Sequence, residues 1–135
     1  MPSGTITVTS TRRFELIDIT RPISQAVATS GCVSGVCHLY NPHTTAAVTI
    51  NEGADPAVRD DLVTALTTIV PFNLPYQHQE GNSPAHVMAT LVGSSATIFI
   101  EGGTLRLGTW QRIFFCEFDG ARTRKLHWKI LADGA

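Results

Sequence analysis

Apolar and polar residues alternate almost from the first position. Thr5-Ile6-Thr7-Val8-Thr9 has the period of two that marks a half-exposed strand, and Phe14 to Ile19 reads as its partner. Thr20 followed by Pro22 suggests a cap and a first helical turn, with Gly31 as the stop, so a short helix is expected over Ile23 to Ser30. Val36 to Tyr40 and Ala46 to Ile50 are strand candidates, separated by the turn residues Asn41-Pro42-His43. The clearest helix begins at Asp55-Pro56, an N-cap followed by a proline that suits the first turn. Val58, Leu62, Leu66 and Ile69 mark its apolar face, and Pro71 ends it. A second helix is expected from Ser83-Pro84 to just before Gly93, with Val87 and Leu91 facing inward.

Beyond Gly93 the pattern is all strand: Ala96 to Ile100, Thr104 to Leu107, Trp110 to Phe118 and Thr123 to Leu131. The connections Glu101-Gly102-Gly103 and Asp119-Gly120 are short, which favours antiparallel neighbours. Trp110 to Phe118 is apolar on both faces, with Trp110, Phe114, Cys116 and Phe118 on one side and Ile113 and Phe115 on the other. Such a strand lies between layers or against a neighbouring subunit. The expected fold is α+β: a mixed or antiparallel, sandwich-like sheet with two or three short helices, in one domain over residues 1–135.

Composition narrows the function. The 135 residues are 43% hydrophobic and only 16% charged, against roughly 25% charged in an average soluble domain. That excludes intrinsic disorder and hints that part of the surface is covered by another subunit. A net charge of −1 without runs of like charge argues against nucleic acid as a partner. No apolar run approaches the roughly 20 residues of a membrane helix. Cys32, Cys37 and Cys116 form no C-x-x-C pair, so buried reduced thiols in a cytoplasmic protein are expected.

The residue types suited to chemistry lie near turns. His43, His78 and His86 each stand beside turn or cap residues, and three imidazoles leaving one position open would suit a catalytic zinc ion. Equally, they read as separately satisfied loop histidines. His38 and His127 fall within strand patterns and read as structural. Asn51 and Glu52 end a strand, where Glu52 has the chemistry of a general acid/base or of a partner to an imidazole. Asp61 could hold a cation or substrate, or serve only the helix dipole. Gly93-Ser94-Ser95 offers backbone N–H groups to a phosphate, or caps a helix. Arg122 and Arg124 suit anionic oxygens, and Gln111, beside Trp110, both donates and accepts.

Taken in order, Pro42-His43-Thr44-Thr45-Ala46, Asn51-Glu52, Asp55-Pro56, Pro84-Ala85-His86, Leu91-Val92-Gly93-Ser94-Ser95 and Gly108-Thr109-Trp110-Gln111 resemble the YjbQ-like family of uncharacterised proteins. That family is linked to a secondary thiamine-phosphate synthase activity. The resemblance implies a homotrimer and a divalent metal held by His43, His78 and His86, zinc first and magnesium as the alternative, with Glu52 and Asp61 close by. It implies a transferase joining a pyrimidine diphosphate to a thiazole phosphate. There Arg122 or Arg124 would meet the departing diphosphate, while Gln111 and Asn51 orient the heterocycles. The alternatives are a metal-dependent hydrolase of a small phosphorylated substrate and a non-enzymatic trimeric metal- or ligand-binding protein.

Overall fold

The computed structural model describes residues 2–134. In chain order the elements are β1 (Ser3–Thr9), β2 (Glu15–Asp18), α1 (Thr20–Ser30), β3 (Gly35–Tyr40), β4 (Ala46–Glu52), α2 (Pro56–Ile69), α3 (Ser83–Val92), β5 (Ser95–Glu101), β6 (Thr104–Leu105), β7 (Gln111–Glu117) and β8 (Thr123–Ala132). One sheet has the order β1-β8-β3-β5-β6 and the other β2-β7-β4, so the fold is α+β as expected. All the pairings among the described residues are antiparallel.

The alternating strands make two apolar layers. Cys37 and Leu39 of β3, Ile98 and Ile100 of β5, and Leu126 and Ile130 of β8 meet Val48 of β4 and Ile113 and Phe115 of β7 between the sheets. Ile23 and Val27 of α1 join this core. The other face of the smaller sheet, through Leu16, Ala47, Phe114 and Cys116, packs on Ala85, Met88 and Ala89 of α3 and on Leu62, Val63 and Leu66 of α2. β7 is therefore apolar on both faces because it lies between a sheet and a helical layer of its own chain. Phe114 and Phe115, which the sequence offered equally to a subunit contact, are fully buried within the protomer.

Several local expectations change. Trp110 precedes β7 instead of joining its apolar face and is 63% exposed. α3 buries Pro84, Ala85, Met88 and Ala89, leaving Val87 and Leu91 outward, because its small residues let the helix lie close to β4. Ile69 of α2 is likewise exposed. Asp55 caps α2 as expected, its Oδ1 accepting the Ala57 N–H at 2.9 Å. Thr20 is no cap; its hydroxyl oxygen accepts the Ile113 N–H at 2.8 Å and so ties α1 to β7. Gly31 ends α1 at φ 71°, a conformation that favours glycine. The three cysteines are free and buried, and burial pushes the thiols of Cys37 and Cys116 up to about 11 and about 12. None of the described helices is long and apolar enough to cross a membrane.

Candidate functional site

The segment between β3 and β4 is held from within. Asn41, buried, accepts the His43 N–H at its Oδ1 (3.0 Å) and donates from Nδ2 to the carbonyls of His43 (3.1 Å) and Ala46 (2.7 Å). This is the side-chain turn that asparagine forms with its own following backbone. Beneath it lies a buried ionic network. Arg124 donates from Nε to Glu117 Oε1 at 2.9 Å, from Nη2 to Glu117 Oε2, and from Nη2 to Thr45 Oγ1 at 2.8 Å. Ser10 and the Asp119 N–H also donate to Glu117, at 2.8 and 3.0 Å. Burial pushes the Glu117 carboxyl up, yet these donors together hold it below its usual value.

His43 stands directly on this support. Its Nε2 accepts the Lys125 backbone N–H at 2.9 Å, which assigns the neutral ring's proton to Nδ1. Burial, then the Arg124 charge, lowers its pKa, so the ring is neutral near pH 7. His43 and Thr44 form one wall of a cleft of about 390 Å³; His86, Ala89 and Thr90 of α3 form the other, with Ser94 also lining it. His78 packs edge-on against His86, with ring centres 5.4 Å apart, and its Nε2 lies 3.7 Å from Glu80 Oε2. Two imidazoles sharing one tetrahedral ion, each nitrogen about 2.0–2.1 Å from it, have ring centres about 5 Å apart. That ring-centre distance is equally the one of an ordinary edge-on ring contact. His43 has already given its Nε2 lone pair to Lys125. Among the described residues no three His, Cys, Asp or Glu side chains form a metal-holding group.

The remaining sequence candidates separate from this cleft. Asn51 and Glu52 lie at the far end of β4, where Glu52 pairs with Gln111 across to β7. Six residue steps from Ala46 to Glu52, at about 3.3–3.4 Å each, put them about 20 Å along the strand. There Glu52 Oε2 accepts the N–H groups of Ala54 (2.7 Å) and Asp55 (2.9 Å), and Gln111 Oε1 accepts the Gly108 N–H. Asn51 Oδ1 accepts the Glu52 N–H, and Asp61 is exposed on α2. Gly93 gives its N–H to Ala89 and its carbonyl to Val48, closing α3. Ser95 begins β5, opposite Tyr40. Arg124 is committed to Glu117 and Thr45, whereas Arg122, half-exposed, donates to Asp119. Sequence reasoning missed the supporting parts: Asn41, the Lys125 backbone and the Glu117–Arg124 pair. Only Asn41, beside a proline and ahead of a histidine, carried a local signal.

The family profile described as "UPF0047 protein YjbQ-like" matches residues 4–133, nearly the whole chain. The chain belongs to the YjbQ-like UPF0047 family. A UPF0047 protein of Methanocaldococcus jannaschii is 48% identical over 126 residues, covering 93% of this chain and 91% of its own. The UPF0047 protein YugU of Bacillus subtilis is 44% identical over 128 residues, covering 94% and 97%. Among solved structures, an uncharacterised conserved YjbQ/UPF0047 protein of Clostridium acetobutylicum has TM-score 0.92 at 46% identity, covering 95% of this chain and 99% of that one. A hypothetical protein of Aeropyrum pernix reaches 0.93 at 38% identity, covering 98% and 100%. In this UPF0047 chain the histidine cleft and the Gly108–Gln111 turn therefore stand at opposite ends of one sandwich.

Proposed function

We propose that the cleft between His43 and α3 is the working site of a metal-assisted enzyme acting on small phosphorylated molecules. The reaction we assign is thiamine-phosphate synthase-like: a pyrimidine diphosphate is joined to a thiazole phosphate and pyrophosphate leaves. The observation that carries this reading is the meeting of His43 and His86, from separate elements, in one polar cleft with His78 packed behind. His78 and His86 would hold the divalent ion, zinc or magnesium, which when bound supplies positive charge to the departing diphosphate. His43, neutral and fixed by the Lys125 N–H, offers Nδ1–H as a hydrogen-bond donor without adding charge. Ser94 and Thr44 line the same cleft and supply further polar contacts.

The free, buried cysteines support a cytoplasmic setting, and the homotrimer remains part of this proposal. Hydrolysis with Glu52 as proton carrier is disfavoured within one subunit, because that carboxylate lies about 20 Å along β4 and caps the turn before α2. Elemental analysis of the purified protein, with thiamine-phosphate formation followed in His43→Ala and His86→Ala variants, tests the assignment. A bound divalent ion that falls in His86→Ala, with turnover lost in both variants, is the expected result. Turnover unchanged in His43→Ala, or absent at every metal loading, overturns it.

A further inference from the structure

The outward face of the five-stranded sheet gathers lysines and histidines that the histidine cleft does not use. β8 presents Lys125, His127 and Lys129 to solvent, and β3 presents His38 and Tyr40. Register sets Tyr40 opposite His127 and His38 opposite Lys129, so these four form one cluster across two strands. The chain's net charge is −1, so this concentration of basic groups is a local arrangement. The carboxylates at the end of the neighbouring strands, Glu101 and Asp133, are taken by Arg106 and Ser34.

Each imidazole in the cluster is fixed by a threonine. His127 Nδ1 is 2.8 Å from Thr5 Oγ1 on the β1 side, and His38 Nδ1 is 3.0 Å from Thr97 Oγ1 on the β5 side. A groove of about 530 Å³ is lined by His127, His38, Tyr40 and Lys129, with Trp128 beside them. That is the size of a small-molecule site. A threonine hydroxyl donates or accepts, so each ring can present Nε2–H to the groove while keeping its bond to threonine. Lys125 gives its ammonium to Thr7 at 3.0 Å, whereas Lys129 forms no ion pair or hydrogen bond among the described residues. Tyr40, 56% exposed, lines both this groove and the histidine cleft.

The geometry points to a second ligand site here, taking a small anion that carries a flat aromatic ring. The anionic group meets the Lys129 ammonium and the Nε2–H of His127 and His38, and the ring lies against Tyr40. The site is distinct from the one proposed above, since none of His43, His78 and His86 lines it, and Tyr40 is shared between the two.

The test is calorimetric titration of the full chain with 1-naphthyl phosphate, with 1-naphthol and inorganic phosphate as separate arms and amide chemical shifts to locate binding. Saturable binding of 1-naphthyl phosphate is expected, with shifts centred on Tyr40, His127 and Lys129. Lys129→Gln and Tyr40→Ala should each weaken it about tenfold, as expected for a lost charge-assisted hydrogen bond or aromatic contact. His43→Ala should leave it unchanged. The site is refuted by absence of saturation at millimolar probe, by an unchanged affinity in Lys129→Gln, by equal binding of 1-naphthol or inorganic phosphate, or by loss in His43→Ala.

Discussion

Arg124→Leu tests the internal support of the histidine cleft. Arg124 is 4% exposed and Glu117 fully buried, so the substitution strands a carboxylate with only Ser10 and the Asp119 N–H as donors. Removing one partner of a buried pair costs about 3–5 kcal/mol, since the other charge stays desolvated and unpaired. A domain of 135 residues has a total stability of about 7–20 kcal/mol, so a large share would be lost. With a urea slope of about 1–3 kcal/mol per molar, the unfolding midpoint should fall by about 2 M. The Glu117→Met/Arg124→Leu double variant removes both charges and should recover most of that loss. pH adds a sign. In the native chain Glu117 has a lowered pKa, so its contribution is present above its ordinary value of 4.5 and is lost as pH falls through the folded value. Without Arg124 burial dominates and the carboxyl protonates more readily, so the deficit of the single variant should shrink toward pH 4. Urea unfolding followed by tryptophan fluorescence measures all three proteins. A single-variant cost under about 1 kcal/mol, or a double variant no better than the single one, refutes the reasoning.

Asn41→Ala leaves the His43 N–H and the Ala46 carbonyl without their partner and should cost about 1–3 kcal/mol, read by chemical denaturation, with loss of a single ordered His43 signal in NMR spectra. His43 has a pKa below its ordinary 6.5, so in metal-free protein stability should fall as pH drops below that value; His43→Gln should flatten this slope in thermal scans between pH 7 and 5. Phe114→Ala should cost about 3–5 kcal/mol by urea unfolding, because the ring fills the layer between β7 and the helices. Trp110→Ala, at an exposed turn, should change the same measurement by no more than about 0.5 kcal/mol.

The fold was legible where local chemistry and burial agree. Asp55-Pro56 announced α2, Ser83-Pro84 announced α3, and the doubly apolar run around Phe114 announced a strand between layers. Periodicity failed on the helix faces, because Val87 and Leu91 are larger than Ala85 and Ala89 and close packing on β4 favours the smaller side chains. The site was half legible. His43 and His86 do face one cleft, but Glu52, Asn51 and Gln111 are carried away by the length of β4, a distance that spacing in the chain does not reveal. Arg124 is read as an anion binder by residue type alone, and only the side-chain contact between β8 of one sheet and β7 of the other shows that its anion is Glu117.

The ladder of β1 against β8 joins Ser3 to Lys129 and Thr9 to Thr123, so it closes across all the elements between them. During synthesis β1 therefore waits, without its partner, until β8 has left the ribosome. Such distant closure is entropically slow, so folding on a scale of about milliseconds to seconds is expected once the chain is released. Removal of β1 would leave β8 as a bare, sticky edge.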